Sequence, residues 1–128
     1  METQKTGRVV TVTLPPNLDL LNSNQRLHWA TKARRTRTIR DATAWTTRAL
    51  NEKPMSAAKI TATIHPKTNH RFDPHNFQPT VKAMIDGIVD AQLIADDDAT
   101  RLWSVAFQAG PKNPAGTRIN LTVKEVTP

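Results

Sequence analysis

The hydrophobic pattern of the chain changes between a period of two residues and a period of three to four. Apolar and polar side chains alternate from Arg8 to Leu14 and again from Ala57 to His65, which is the pattern of strands with one buried face. A proline follows each segment, and proline cannot donate a hydrogen bond within a sheet. The sequence therefore predicts two strands with these bounds.

Two other segments have the spacing of helices with one buried stripe. The first runs from about residue 31 to residue 50 without glycine or proline. Its predicted buried stripe is Ile39, Ala42, Trp45 and Ala49. The second runs from about residue 80 to residue 92. Its predicted stripe is Val81, Met84, Ile85, Ile88 and Val89. Trp29, which precedes the first helix, is expected to pack in the core.

The end of the chain has the pattern of two further strands. They span residues 101–109 and 117–126, and the glycines and prolines of residues 110–116 form the turn between them. The order strand, helix, strand, helix, strand, strand predicts the α+β class, with a mixed sheet of about four strands and two principal helices. At 128 residues, the whole chain, 1–128, is expected to form one domain around one core.

Composition narrows the chemistry that is open to the chain. It contains no cysteine, which excludes disulfides and thiolate metal sites. Its apolar runs are far shorter than a membrane span, and the residues from Met1 to Gln4 do not begin a signal peptide. We therefore expect a cytoplasmic protein without a membrane partner.

The formal net charge of +7 is distributed unevenly along the chain. Residues 86–98 carry five aspartates and no cation. Residues 26–48 carry seven cations against one carboxylate, and we name these cations the basic strip: Arg26, Lys32, Arg34, Arg35, Arg37, Arg40 and Arg48. A polyanion held against a metal ion needs both surfaces, because phosphates bind cations and divalent metals bind carboxylates. The alternative is a solvated helix face and an unrelated acidic turn.

Candidate metal-binding residues flank the second predicted helix. Asp73-Pro74-His75-Asn76 precedes it and Asp96-Asp97-Asp98 follows it, so a short helix that folds back brings the two groups together. Clustered carboxylates repel one another unless a cation lies between them. Aspartate oxygens suit Mg²⁺ or Mn²⁺, which stabilise charge on a phosphodiester and activate water. The alternative is that the acidic run caps a turn and that Asp73 is a loop residue.

The segment from Arg71 to Asp98 resembles the RusA-type Holliday junction resolvases, which are crossover-junction endodeoxyribonucleases often carried by phages. It reads R-F-D-P-H-N-F-Q-P-T-V-K-A-M-I-D-G-I-V-D-A-Q-L-I-A-D-D-D. The family pattern is a basic residue, D-x-D-N, a lysine, D-x-[LI]-x-x-[AG] and D-D. Upstream, the N-x-N-x-R-x-H-W segment at Asn22 to Trp29 is similar to phage members of the group.

The resemblance implies roles for individual residues. Asp73 matches the first catalytic aspartate and Asp97 the last, and Lys82 matches a lysine that contacts phosphate or stabilises charge in the transition state. Asp86 matches another acidic position, which is either a metal ligand or the partner of Lys82 one helical turn away. Asn76 matches the family asparagine, for which the simplest role is to cap the helix.

His75 departs from the family pattern, which usually has a second catalytic aspartate there. A neutral imidazole removes one negative charge from the site and favours Mn²⁺ over Mg²⁺. We expect one of these two ions as the cofactor. Its expected ligands are Asp73, His75, Asp86 and Asp97.

The resemblance implies an endonuclease that resolves four-way DNA junctions by paired symmetric nicks in a bacterial or phage-infected cell. Two matched cuts require two sites related by a two-fold axis, which implies a homodimer. Phosphate contacts set affinity and salt dependence more than sequence choice, and the expected contacts are Arg26, Lys32, Arg34, Arg35, Arg37, Arg40 and Arg71. Two alternatives remain: a junction-binding protein that His75 has made non-catalytic, and a general nucleic-acid-binding protein whose acidic run is incidental.

Overall fold

Four strands and two helices make up the protein in a computed structural model that describes residues 7–127. In chain order they are β1 (Val9–Thr13), α1 (Trp29–Ala49), β2 (Ala57–His65), α2 (Gln78–Asp90), β3 (Leu102–Ala109) and β4 (Arg118–Val126). A single turn of 3-10 helix, Pro74–Phe77, leads directly into α2. The sequence predicted the second helix only from about residue 80 and did not predict this turn. The predicted α+β class and element order are confirmed.

The strands form one mixed sheet in the order β1-β4-β2-β3. β4 is antiparallel to both of its neighbours, whereas β2 and β3 are parallel and are connected through α2. Alternate residues of β2, including Ile60, Ala62 and Ile64, are buried, and the intervening Thr61 and Thr63 are only half-buried. The helices therefore cover one face of the sheet, and the other face is largely polar.

Both helices contribute to the core that covers the buried face of the sheet. α2 buries Val81, Met84, Ile85 and Ile88, as its pattern predicts, whereas Val89 of the predicted stripe is only half-buried. Within residues 7–127, neither helix combines the length and the apolar content that a membrane crossing requires.

Helix α1 buries a different stripe from the predicted one. Ile39 is buried, but Trp45 and Ala49 are exposed. The residues that α1 buries are Ile39, Thr43, Ala44 and Thr47. The hydroxyls of Thr43 and Thr47 donate to carbonyl oxygens one turn back, at 2.8 and 2.7 Å. Because these hydroxyls are satisfied within the helix, threonine can occupy a core position that hydrophobic periodicity does not reveal.

The two helices are in close contact at Gly87 of α2. A β-carbon at this position would lie 2.4 Å from the carbonyl oxygen of Arg40 and 2.8 Å from the Cβ of Thr43. On the exposed side of the same contact, the Arg40 guanidinium donates to both carboxylate oxygens of Asp90, at 2.6 and 2.8 Å. A steric constraint and an ion pair therefore fix α2 against α1.

Gly87→Ala should lower the free energy of unfolding, measured by urea denaturation. Replacing glycine by alanine inside a helix ordinarily stabilises it by about 1 kcal/mol, but overpacking a close contact costs about 1–3 kcal/mol. The sign of the change in the free energy of unfolding shows whether helix propensity or overpacking dominates at this position. A more stable variant would contradict the close approach of α1 and α2 at this position.

Asp90→Asn should lower the free energy of unfolding by about 1 kcal/mol at neutral pH, because it removes a partly exposed bidentate ion pair. The hydrogen bonds from Arg40 lower the pKa of Asp90 below its ordinary 3.8. The stabilisation is thus present above that value and is lost as the pH falls through the lowered pKa. Urea denaturation should show that the difference in free energy of unfolding between the variant and the parent protein becomes smaller at acid pH. Asp41→Asn, on an exposed part of α1, is the control and should have little effect at either pH.

Candidate functional site

Thr80 joins the polar loop that follows β1 to the start of α2. Its buried hydroxyl accepts a hydrogen bond from the backbone N–H of Leu21 at 2.7 Å and donates to the carbonyl of Leu21 at 2.6 Å. The backbone N–H of Ser23 donates to the carbonyl oxygen of Asn76 at 2.7 Å. The two segments that resemble the resolvases are therefore adjacent in the fold. Sequence reasoning missed Thr80, because its partner lies 59 residues away and nothing local marks the pair.

The segment after α2 is anchored before the acidic run begins. Leu93 and Ile94 are buried, and the backbone N–H of Met55 donates to the carbonyl of Leu93 at 2.7 Å. Ile94 also forms a parallel bridge with Met55. These contacts hold the chain at the point from which the three aspartates extend into solvent.

The three aspartates have different partners. Asp98 caps the turn into β3, since its carboxylate accepts from the backbone N–H and the hydroxyl of Thr100. Asp96 accepts from the backbone N–H of Asp97 at 2.7 Å. Asp97 alone directs its carboxylate toward α2. The turn-capping role considered for the run therefore belongs to Asp98.

Lys82 holds Asp97 and Asp86 together, and we name these three residues the lysine cluster. The Lys82 Nζ lies 2.8 Å from Asp86 Oδ1 and 2.8 Å from Asp97 Oδ2. Hydrogen bonds to Asp86 and then to Asp97 raise the pKa of Lys82, and the hydrogen bond from Lys82 lowers the pKa of Asp97. One ammonium group thus occupies the space between two carboxylates that would otherwise repel each other.

Asp73 and His75 form a second pair at the start of the 3-10 turn. The Asp73 Oδ1 accepts from the backbone N–H of His75 at 3.0 Å and lies 3.3 Å from its Nδ1. The His75 ring packs on Phe107 of β3, with ring centroids 4.8 Å apart. Asp73, rather than Asn76, is the residue that caps this turn. Phe77, at the N-cap position of α2, provides no side-chain cap for the helix.

A mainly apolar hollow of about 180 Å³ lies between α2 and β3. Lys82, Asp97 and Phe107 are among the residues that line it. His75, a member of the other pair, packs against Phe107. Across residues 7–127, no three His, Asp or Glu side chains converge as a metal site. The four expected ligands, Asp73, His75, Asp86 and Asp97, therefore stand as two pairs. Their donor chemistry suits a hard divalent ion. Between Asp86 and Asp97, the Lys82 ammonium occupies the position that such an ion would take.

The cations expected to contact DNA differ in whether they form ion pairs with carboxylates of the protein. Arg40 is engaged by Asp90 at 2.6 Å, and Arg35 lies 4.0 Å from Asp19. The remaining contacts make no ion pair with any residue from 7 to 127: Arg26, Lys32, Arg34, Arg37 and Arg71. These free cations are the ones available to phosphate.

Trp29 is exposed, so the expectation that it packs in the core is wrong. The side chain is 77% exposed, and Leu27 packs against the core instead. Trp29 is the first residue of α1 and borders an open groove of about 480 Å³. The groove is lined by Trp29, Lys32, Ala33, Thr36, Arg37 and Arg40. An exposed indole and free cations therefore share one face of the helix.

A scan against models of known protein families and a search of curated proteins both give no match. What this protein does is therefore inferred from its own residues and from the motif resemblance.

Proposed function

We propose that this protein is a metal-dependent endodeoxyribonuclease that binds four-way DNA junctions and resolves them by paired nicks. The observation that carries the proposal is the lysine cluster, in which the Lys82 ammonium is shared by Asp86 and Asp97 at 2.8 Å each. These are the positions at which the sequence resembles the RusA-type resolvases. The free cations near Trp29 supply the surface that a DNA substrate requires.

The basic strip accounts for affinity. A chain with a net charge of +7 attracts DNA at long range, and each cation that contacts a phosphate releases a counterion and steepens the dependence on salt. Because Arg40 is engaged by Asp90, we assign the contacts chiefly to Arg26, Lys32, Arg34 and Arg37.

Lys82 has two tasks in this proposal. In the free protein its ammonium keeps Asp86 and Asp97 together, which prepares a carboxylate pair that would be costly without a cation. When a phosphodiester approaches, the flexible side chain turns toward its oxygens and opposes the negative charge that develops in the transition state. The same movement releases both carboxylates.

The residues that share the Lys82 ammonium are also the best candidates to hold a divalent ion. Asp86 and Asp97 already bind one cation between them, and Asp73 with His75 offers a second pair of donors. A bound Mg²⁺ or Mn²⁺ would stabilise charge on the phosphodiester and activate water. The imidazole of His75 favours Mn²⁺.

A second candidate function is junction binding without cleavage. It is favoured by the division of the expected metal ligands into two pairs among the described residues, and by His75 in place of a carboxylate. In this case the basic strip and the groove at Trp29 would remain functional, while the lysine cluster would serve only to stabilise the fold.

Cleavage of a synthetic four-way junction should produce symmetric nicks in Mn²⁺ and, more slowly, in Mg²⁺. Asp97→Asn should reduce the rate by about 100-fold or more, because it removes the carboxylate charge without changing its shape. Asp96→Asn makes the same change at the adjacent position and should leave the rate nearly intact. Circular dichroism of both variants checks that they fold.

Gel shifts with the same junction and with linear duplex separate the alternatives. A junction that is shifted but uncut in both metals would replace the nuclease by a non-catalytic junction-binding protein. Equal affinity for linear duplex would instead support a general nucleic-acid-binding protein.

Trp29→Leu should weaken junction binding by about 5- to 160-fold, because a base stacked on an aromatic ring contributes about 1–3 kcal/mol. Trp45→Leu is the matched control: Trp45 lies on the same helix and is 76% exposed against 77% for Trp29, but it does not border the groove. Fluorescence anisotropy with a labelled junction measures both dissociation constants. Equal losses in the two variants would exclude a specific role for Trp29.

A further inference from the structure

The face of the sheet that the helices leave uncovered carries positive charge. Because successive side chains of a strand point to opposite faces, the strand residues outside the core lie here, and we name this surface the outer face. Pairing of the strands aligns these residues in three rows, which are Val9, Lys124, Lys59 and Ser104, then Thr11, Thr122, Thr61 and Ala106, then Thr13, Asn120, Thr63 and Gln108. His65 and Arg118 are paired beyond the third row. None of these residues is acidic.

The cations of the outer face are not neutralised by the protein. Lys59, Lys124 and Arg118 are exposed, and none of them forms an ion pair within residues 7–127. Arg40 and Lys82, on the helices, are both paired with aspartates. The outer face therefore has an uncompensated positive charge of its own, on the side of the sheet opposite to the basic strip.

Two of these cations face each other across neighbouring strands. Lys59 of β2 is directly opposite Lys124 of β4 in the antiparallel register. The Cβ atoms of such a pair are about 4.5–5.5 Å apart, and like charges at this separation destabilise a sheet. The preference of threonine for strands explains the threonines of the outer face, but it does not explain two opposed lysines. An anion bound to both ammonium groups would remove their repulsion.

We propose that the outer face binds the phosphate backbone of a DNA duplex. From Lys59 to His65 the strand rises by roughly 20 Å, which corresponds to about six phosphates of one DNA strand along the helix axis. The lysine pair lies at one end of this length and Arg118 at the other. Threonine hydroxyls and the amides of Asn120 and Gln108 lie between them, and both kinds of group donate hydrogen bonds to phosphate oxygens.

The composition of the rows favours duplex over single-stranded nucleic acid. Surfaces that bind single strands stack the bases on aromatic side chains, and the three rows contain no phenylalanine, tyrosine or tryptophan. Contacts to phosphate position a duplex without reading its sequence. We therefore expect binding to the outer face to be independent of sequence and steeply dependent on salt.

A second DNA-binding surface would allow the protein to join two DNA segments. The helices cover one face of the sheet and the outer face is the other, so one straight duplex cannot contact both. A chain that binds DNA through α1 and through the outer face would hold two duplexes at once. This consequence rests on the proposed function of the basic strip, whereas duplex binding by the outer face does not.

The variant Lys59→Gln with Lys124→Gln tests the outer face directly. Fluorescence anisotropy with a linear duplex of about 20 base pairs gives the slope of log K against log salt, which should become shallower by about 2, or about 1 for each lysine that contacts phosphate. The measurement is made in the full chain carrying Arg34→Gln and Arg37→Gln, so that binding through α1 does not mask the effect.

The control for net charge is Lys53→Gln with Lys67→Gln. It removes the same charge from exposed positions outside the strands, and it should leave the salt slope almost unchanged. Equal slopes for the two double variants would overturn the proposal. A loss of affinity for a single-stranded oligonucleotide without a loss for the duplex would also overturn it.

Lys59→Glu separates a binding role from a structural one. It replaces the repulsion from Lys124 by an attraction, so the midpoint of urea denaturation should rise while affinity for the duplex falls. A weaker complex formed by a more stable protein cannot result from unfolding. A rise in the midpoint with unchanged affinity for the duplex would overturn the proposal.

Capture of a second duplex tests whether the protein joins two DNA segments. An immobilised duplex loaded with the parent protein should retain a fluorescent duplex, and Lys59→Gln with Lys124→Gln should lose the fluorescent duplex while still binding the immobilised one. Retention by this variant would show that another surface joins the duplexes. A parent protein that binds duplex through these lysines but never cuts a junction would overturn only the proposed nuclease activity. Junction cleavage with a salt slope that is independent of the two lysines would overturn only the outer-face site.

Discussion

The contact between α1 and α2 at Gly87 fixes the position of α2, the helix that carries Lys82 and Asp86. A side chain at this position would meet the backbone of α1, so the helices can approach this closely only with a glycine. Their closeness lets Arg40 reach both oxygens of Asp90. It also sets the rotation of α2 about its axis, and with that rotation Lys82 and Asp86 face solvent beside the basic strip.

Charge is balanced locally within this arrangement. The lysine cluster combines one ammonium and two carboxylates. In the basic strip, the charge of Arg40 is compensated by its ion pair with Asp90. Of the free cations that remain, Lys32 and Arg37 line the groove at Trp29. If the protein binds DNA as we propose, the DNA is attracted first to α1, where positive charge is not compensated, and the lysine cluster lies on the neighbouring helix.

Patterns confined to one element could be predicted from the sequence, whereas relations between elements could not. β2 has the predicted bounds, Ala57–His65, because alternation of apolar residues is a local signal. The buried stripe of α1 was assigned wrongly because threonine counts as a polar residue in a hydrophobic pattern. The hydroxyls of Thr43 and Thr47 are nevertheless satisfied within the helix, which allows both residues to be buried. Trp29 was assigned to the core from its residue type and its position at a helix start, but it is exposed, and Leu27 packs against the core.

The candidate site illustrates the same limit. Helical spacing predicted Lys82 beside Asp86, but Asp97 is brought to Lys82 only because the segment after α2 folds back. No periodicity describes that reversal. The resemblance to the resolvases did select Asp97 from three adjacent aspartates, and the structure shows a physical difference among them, since Asp98 caps a turn and Asp97 contacts the lysine.

The threonines on the inner side of α1 have a consequence for how this surface can evolve. α1 is attached to the protein by small side chains that fit closely against α2 and the sheet, and only Ile39 among its buried residues is a large aliphatic one. Apart from Arg40, which is paired with Asp90 of α2, the outward-facing residues contribute little to its attachment. If α1 binds nucleic acid as we propose, exchanges on its outward surface can alter the preference for one nucleic-acid shape over another, while the helix keeps its place in the fold.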